Sequence, residues 1–183
     1  MADPASFASI FDTLQSIGLR STFDVPLDDF DLPRNIWWLP YLVILALGAA
    51  AAIDAVKGLI PDWIIFWGLF IVTATLGFVA DWDTSAYHLR LAVAVGIGLW
   101  FVNQLWRKKF RRDAIGMGDA KWTMLAVDCF GFYPAVFAWV AGACLALIWL
   151  LGARLTRRKI RHVHFGPFLF TGLLMGIYWL RFR

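Results

Sequence analysis

The chain has 183 residues, of which 61% are hydrophobic and only 16% charged. A water-soluble domain of that length needs far more polar surface, so the composition points to a protein that crosses a bilayer several times. The formal net charge of +4 does not indicate a nucleic-acid partner, because the basic residues fall in the loops between apolar runs.

The first 35 residues read as an extramembrane arm. They are mixed and acidic rather than basic and then apolar, so no cleavable signal peptide is expected. "FASIFDTLQSIGL" spaces Phe7, Ile10, Phe11, Leu14 and Ile17 as one helical face, which predicts a short amphipathic helix lying on the membrane. "DVPLDDFDLPRN" follows as a polar linker. The chain has no glutamate, so its side-chain carboxylates are all aspartates, and Asp3, Asp12, Asp24, Asp28, Asp29 and Asp31 crowd this arm.

From residue 36 to residue 183 the pattern predicts an all-α domain of six transmembrane helices, at about 36–54, 61–80, 86–106, 119–130, 135–153 and 167–182. The first ends on Asp54, in "IDAVKGLIPDW". Pro61 suits the first turn of the second, and Asp62 is a favourable charge at its N-terminus. After the third span and "RKKFRR" comes "GMGDAKW", where Asp119 opens the fourth. Gly116 and Gly118 give the backbone freedom there and let an extended peptide lie close. Lys121 has two open readings: it tunes an acidic pair or meets a substrate carboxylate, or it merely snorkels to the interface.

Asp128 lies deeper in the fourth span, on roughly the opposite side from Asp119. Two turns separate it from Lys121, so a Lys121–Asp128 interaction and a structural role are expected. Gly131 and Pro134 predict a turn into the fifth span, against the rival of one helix over 119–153. Cys129 and Cys144 sit in apolar runs without a CxxC pair and predict neither zinc nor a disulfide. His162 and His164 lack a third ligand, so no metal is expected. Gly166 and Pro167 shape the start of the sixth span and line the site.

Orientation follows from lysine and arginine. Eleven of the 17 lie in the loops at 55–60, 107–118 and 154–166, which predicts that these loops are cytoplasmic and that both termini are outside. The same loops suit anionic lipid headgroups. Trp37, Trp38, Trp63, Trp82, Trp106 and Trp122, near span ends, are expected in interfacial belts. Asp54 and Asp119 then share the cytoplasmic layer of the membrane, 65 positions apart in the chain. A carboxylate at the hydrocarbon edge is costly unless it faces protein or water, which makes it a functional candidate by default. Two carboxyls held close cannot both ionise easily and tend to share a proton. The ionised member draws a proton from a trapped water while the other donates to an amide carbonyl, with no cofactor or metal.

These residues carry a family resemblance. "GMGDAK" resembles the GxGD motif of membrane aspartyl proteases. "IDAVKGLIPDW" is similar to the first-aspartate motif of type IV prepilin peptidases, and "HFGPFLFTG" to a Phe-Gly-Pro-Phe segment near that family's C-terminus. The three occur in the family's order over about residues 36–180; the Tyr-Asp and Pro-Ala-Leu motifs of presenilin-type proteases are missing. The resemblance implies Asp54 and Asp119 as the catalytic pair of an enzyme of the bacterial inner membrane. It also implies a prepilin or pilin-like precursor as partner, cut behind its leader at the cytoplasmic face. Without the two CxxC pairs of the methyltransferase insertion, the chain resembles the short, peptidase-only form of tight-adherence (Flp) pilus systems. Two other classes predict different things. A small proton- or ion-coupled transporter component needs carboxylates near the bilayer midplane, and a non-catalytic pilus-assembly protein tolerates loss of both aspartates.

Overall fold

The computed structural model describes residues 36–111, 113, 115–156 and 164–181, and all of its helices belong to one compact unit, Asn35–Arg183. The amphipathic arm over 1–35 and His162 lie outside the described residues. Six helices follow one another: α1 (Leu39–Lys57), α2 (Asp62–Val79), α3 (Trp82–Phe110), α4 (Met117–Phe130), α5 (Phe132–Leu155) and α6 (Gly166–Arg181), with no strand among the described residues. Every predicted span is a helix. Only α1, α2, α3 and α5 are long and apolar enough to cross a membrane on their own; α4 has 14 residues and α6 has 16.

Local chemistry sets the helix ends. Gly58 closes α1 in the left-handed conformation (φ 68°), its N–H returning to the Asp54 carbonyl at 2.8 Å. Asp81 caps α3 by accepting from the backbone N–H of Thr84 (2.6 Å) and from its hydroxyl (2.8 Å), bonds that hold the Asp81 carboxyl below the usual carboxylate range. With that cap α3 begins earlier than its apolar run and extends to 29 residues, about 43 Å, well beyond a hydrocarbon layer of about 30 Å. The break between α4 and α5 is a single residue, Gly131, at φ 81°. Pro134 lies inside the first turn of α5, where its missing N–H costs nothing, so glycine alone makes the turn.

In each spanning helix at most 33% of the apolar window is buried, so most of its apolar surface faces outward, as lipid requires. The buried stripe of α1 runs Leu39, Val43, Leu47, Ala50 and Asp54, the spacing of one helical face. It packs on α4, which is the innermost helix and touches α1, α2, α3 and α5. Residues 125–130 of α4 are all buried. Leu125 fills the space beside Gly68 of α2, and Met124 that beside Gly96 of α3. Trp122 is fully buried, with Nε1 donating to the Leu47 carbonyl at 3.3 Å. It therefore anchors α4 to α1 and is no interfacial residue. Trp37, Trp38, Trp63, Trp82 and Trp106 are exposed, as a belt requires.

Asp128 is also wholly buried. Its Oδ2 accepts from Thr73 Oγ1 at 3.4 Å, its carbonyl meets His88 Nδ1 at 3.1 Å, and its Oδ1 has no hydrogen-bond partner among the described residues. The expected Lys121 pairing is not made. Lys121 Nζ pairs instead with Asp62 Oδ1 at 2.7 Å. Seven residues of helix separate Lys121 from Asp128 by about 10 Å of rise, and the ammonium stays where water reaches it. Asp128→Asn keeps an acceptor for Thr73 and removes a carboxyl buried without full compensation. Thermal unfolding in detergent should show a gain of about 1 kcal/mol.

Candidate active site

Asp54 occupies the last turn of α1, and only 8% of it is exposed. Its Oδ2 accepts a buried hydrogen bond of 3.0 Å from the backbone N–H of Gly166, the first residue of α6. Side chains at position 166 are barred, because a Cβ there would stand 2.8 Å from that same oxygen. The "FGP" segment is thus fitted against Asp54 by its glycine. Pro167, half-buried, lies in the first turn of α6 with its carbonyl accepting from Thr171.

Asp119 is the third residue of α4, and Gly116 is the residue that caps the helix. The Asp119 carboxylate lies against Gly116. A Cβ at Gly116 would stand 2.9 Å from Asp119 Oδ2. Each aspartate thus lies against a glycine that leaves room for its carboxylate. They stand close enough for the Asp54 charge to act directly on Asp119.

The surroundings fix α4 at this point. The Asp119 carbonyl accepts from Thr123 Oγ1 at 2.7 Å, and that hydroxyl accepts from Trp139 Nε1 of α5 at 2.9 Å. The Trp139 ring packs on Phe165, with centroids 5.3 Å apart, immediately before Gly166. One indole thus ties the turn of Asp119 to the segment that holds Asp54. Gly118 makes space for Ile60, whose side chain would lie 3.1 Å from a Cβ there. Pro61 caps α2, one position before the first turn, and Asp62 begins the helix. His164 packs on Gly58 at the end of α1.

Asp54, Asp119, Gly116, Gly118 and Gly166 are thus brought together at one end of the bundle, with Pro61, Pro167 and the Lys121–Asp62 pair around them. Asp128 belongs to a separate cluster with Thr73 and His88. Thr123 and Trp139 carried no sequence signal, since one is a small polar residue in a buried helix and the other an aromatic in an apolar run. Among the described residues no three of His, Cys and Asp gather as a metal ligand set. Chemically, the site offers two carboxylates at one end of the bundle, that of Asp54 buried with one oxygen engaged by a backbone donor.

Residues 41–151 match the family model described as the Type IV leader peptidase family. That segment contains both aspartates. No curated protein and no solved structure matches the chain.

Proposed function

The chain belongs to the type IV leader peptidase family, and on that premise we propose that it cleaves the leader from prepilin-like precursors with Asp54 and Asp119 as an aspartic dyad. The observation that carries this reading is the placement of the two carboxylates at neighbouring ends of α1 and α4, each set against a glycine.

The pair shares one proton between two carboxyls, and the proton belongs to the pair rather than to either residue. The ionised carboxylate takes a proton from a water between them, and the water oxygen attacks the amide carbon. The protonated carboxyl gives its proton to the carbonyl oxygen, forming a tetrahedral diol. Collapse of the diol breaks the C–N bond, and a proton passes to the departing nitrogen. The products are a leader with a new carboxylate and a mature protein with a new amine. The Gly166 N–H keeps one Asp54 oxygen oriented and leaves the other for this chemistry.

A site at the cytoplasmic face of a bacterial inner membrane is supported by the basic loops. The precursor's apolar helix lies in lipid alongside the bundle, its leader reaching the aspartates at the membrane edge. The absence of CxxC pairs from the sequence favours the short form that serves tight-adherence pili. Purified protein in detergent, incubated with a prepilin-like precursor, should release a shortened product whose new N-terminus marks a single cut. A precursor that stays intact under these conditions, with the protein folded, would overturn the assignment.

A further inference from the structure

Arg111 ends α3 in the left-handed conformation (φ 56°). Beyond it, the hydrogen bonds of Asp113 and Ile115 converge on Asn103. This residue is one of five buried polar side chains among the described residues, and it is 3% exposed. Its Oδ1 accepts from the backbone N–H of Ile115 at 3.3 Å, and its Nδ2 donates to Asp113 Oδ1 at 3.3 Å. Arg107, one turn further along α3, reaches the same Asp113 oxygen through Nε at 2.7 Å and through a terminal nitrogen at 2.6 Å.

Ile115 immediately precedes Gly116, against which the Asp119 carboxylate lies. We infer that Asn103 is a positioning residue for Asp119, acting by clamping the chain that sets Gly116 against that carboxylate. The inference rests on the reading of Asp119 as a member of the dyad. The burial of the groups decides which of them matters. Arg107 and Asp113 are about half exposed, at 53% and 48%, and a solvated ion pair contributes little because water competes for both partners. The Asn103 amide is out of water, where a lost acceptor leaves the Ile115 N–H without replacement. An amide also suits the task chemically. It accepts from one side of the turn and donates to the other, which neither a carboxylate nor a hydrocarbon does.

The test uses the full-length protein in detergent, with two readouts. Asn103→Leu keeps the volume and removes both hydrogen-bonding atoms. It should raise amide hydrogen exchange at Ile115 and Gly116 at least tenfold. It should also lower kcat for precursor cleavage at least tenfold with KM within twofold, because substrate still docks while the carboxylate is misaligned. Asn103→Asp keeps the acceptor but sets two carboxylates against each other, and should be similarly impaired. Combining Asn103→Asp with Asp113→Asn restores an acceptor for Ile115 and a donor between the two side chains, and should bring kcat back to within threefold of the parent. A merely space-filling role predicts no such rescue.

Unchanged exchange and unchanged kcat in Asn103→Leu would overturn the inference. So would failure of the double exchange to recover kcat, and this second arm decides the matter even where the leucine variant does not fold. Increased exchange with full cleavage in both Asn103→Leu and Asp119→Asn would leave the clamp standing and remove Asp119 from the mechanism. The two readings thus fail separately.

Discussion

Asp54→Asn and Asp119→Asn are each expected to abolish precursor cleavage, lowering kcat by a factor of about 10³ or more, while the protein remains folded and inserted. Asparagine preserves shape and an acceptor oxygen. At Asp54 it still receives the Gly166 N–H, which lies 3.0 Å from Oδ2 in the parent. At Asp119 it still fits against Gly116. Only the ability to exchange a proton is lost. Because the two groups work on one water, the double variant should be no worse than either single one, as is usual for residues that act as a unit. Unfolding midpoints close to the parent's, measured in the same detergent, separate lost chemistry from lost fold. Cleavage within tenfold of the parent in either variant would remove that aspartate from the reaction.

The largest loss of stability is expected at Gly172. Helices α5 and α6 pack backbone to backbone: a Cβ at Gly172 would stand 2.5 Å from the Ala138 carbonyl and 2.9 Å from the Gly142 nitrogen. On the facing side, a Cβ at Gly142 would stand 3.0 Å from the Phe168 carbonyl. These are main-chain atoms of regular helices and do not swing aside as a side chain does. Small residues at such an interface let the backbones approach where no hydrophobic force draws helices together in lipid. Gly172→Val should therefore destabilise by about 3 kcal/mol or more, seen as a sharp fall in the yield of folded protein and in its unfolding midpoint. The damage should spread to activity, because α6 also supplies the Gly166 N–H to Asp54. Gly98 is the contrast, with nothing within 4 Å of a Cβ built there. Gly98→Ala should be neutral or stabilising by about 0.5 kcal/mol, since alanine gives up less entropy in a helix. Equal tolerance at the two positions would refute the close-packed α5–α6 interface.

The apolar runs, their lengths and the glycine at 131 were enough to number the helices and to separate α4 from α5. The aspartates at 54 and 119 stood out because a carboxylate at the edge of a lipid-compatible run is costly, and because their motifs are distinctive. The partners of each group were not legible. Lys121 turned to Asp62 rather than to Asp128, and the helix-end tryptophan at 122 was the best-buried large side chain of the inner helix rather than a belt residue. Asn103, Thr123 and Trp139 left no mark in the pattern, though each holds the site through a hydrogen bond.

Hydropathy in a membrane chain reports how deep a residue lies, since only depth changes the solvent from water to hydrocarbon. It does not report which way a side chain faces, because lipid tails and a protein interior are equally apolar. The sequence by itself thus determined that the chain is helical, where the helices run and which carboxylates are out of place. Tertiary structure alone decided that α4 lies innermost, that the Gly166 N–H holds the Asp54 carboxylate, and which neighbours keep the two aspartates in place. Those decisions depend on close packing and hydrogen-bond direction between helices far apart in the chain, for which no local pattern exists.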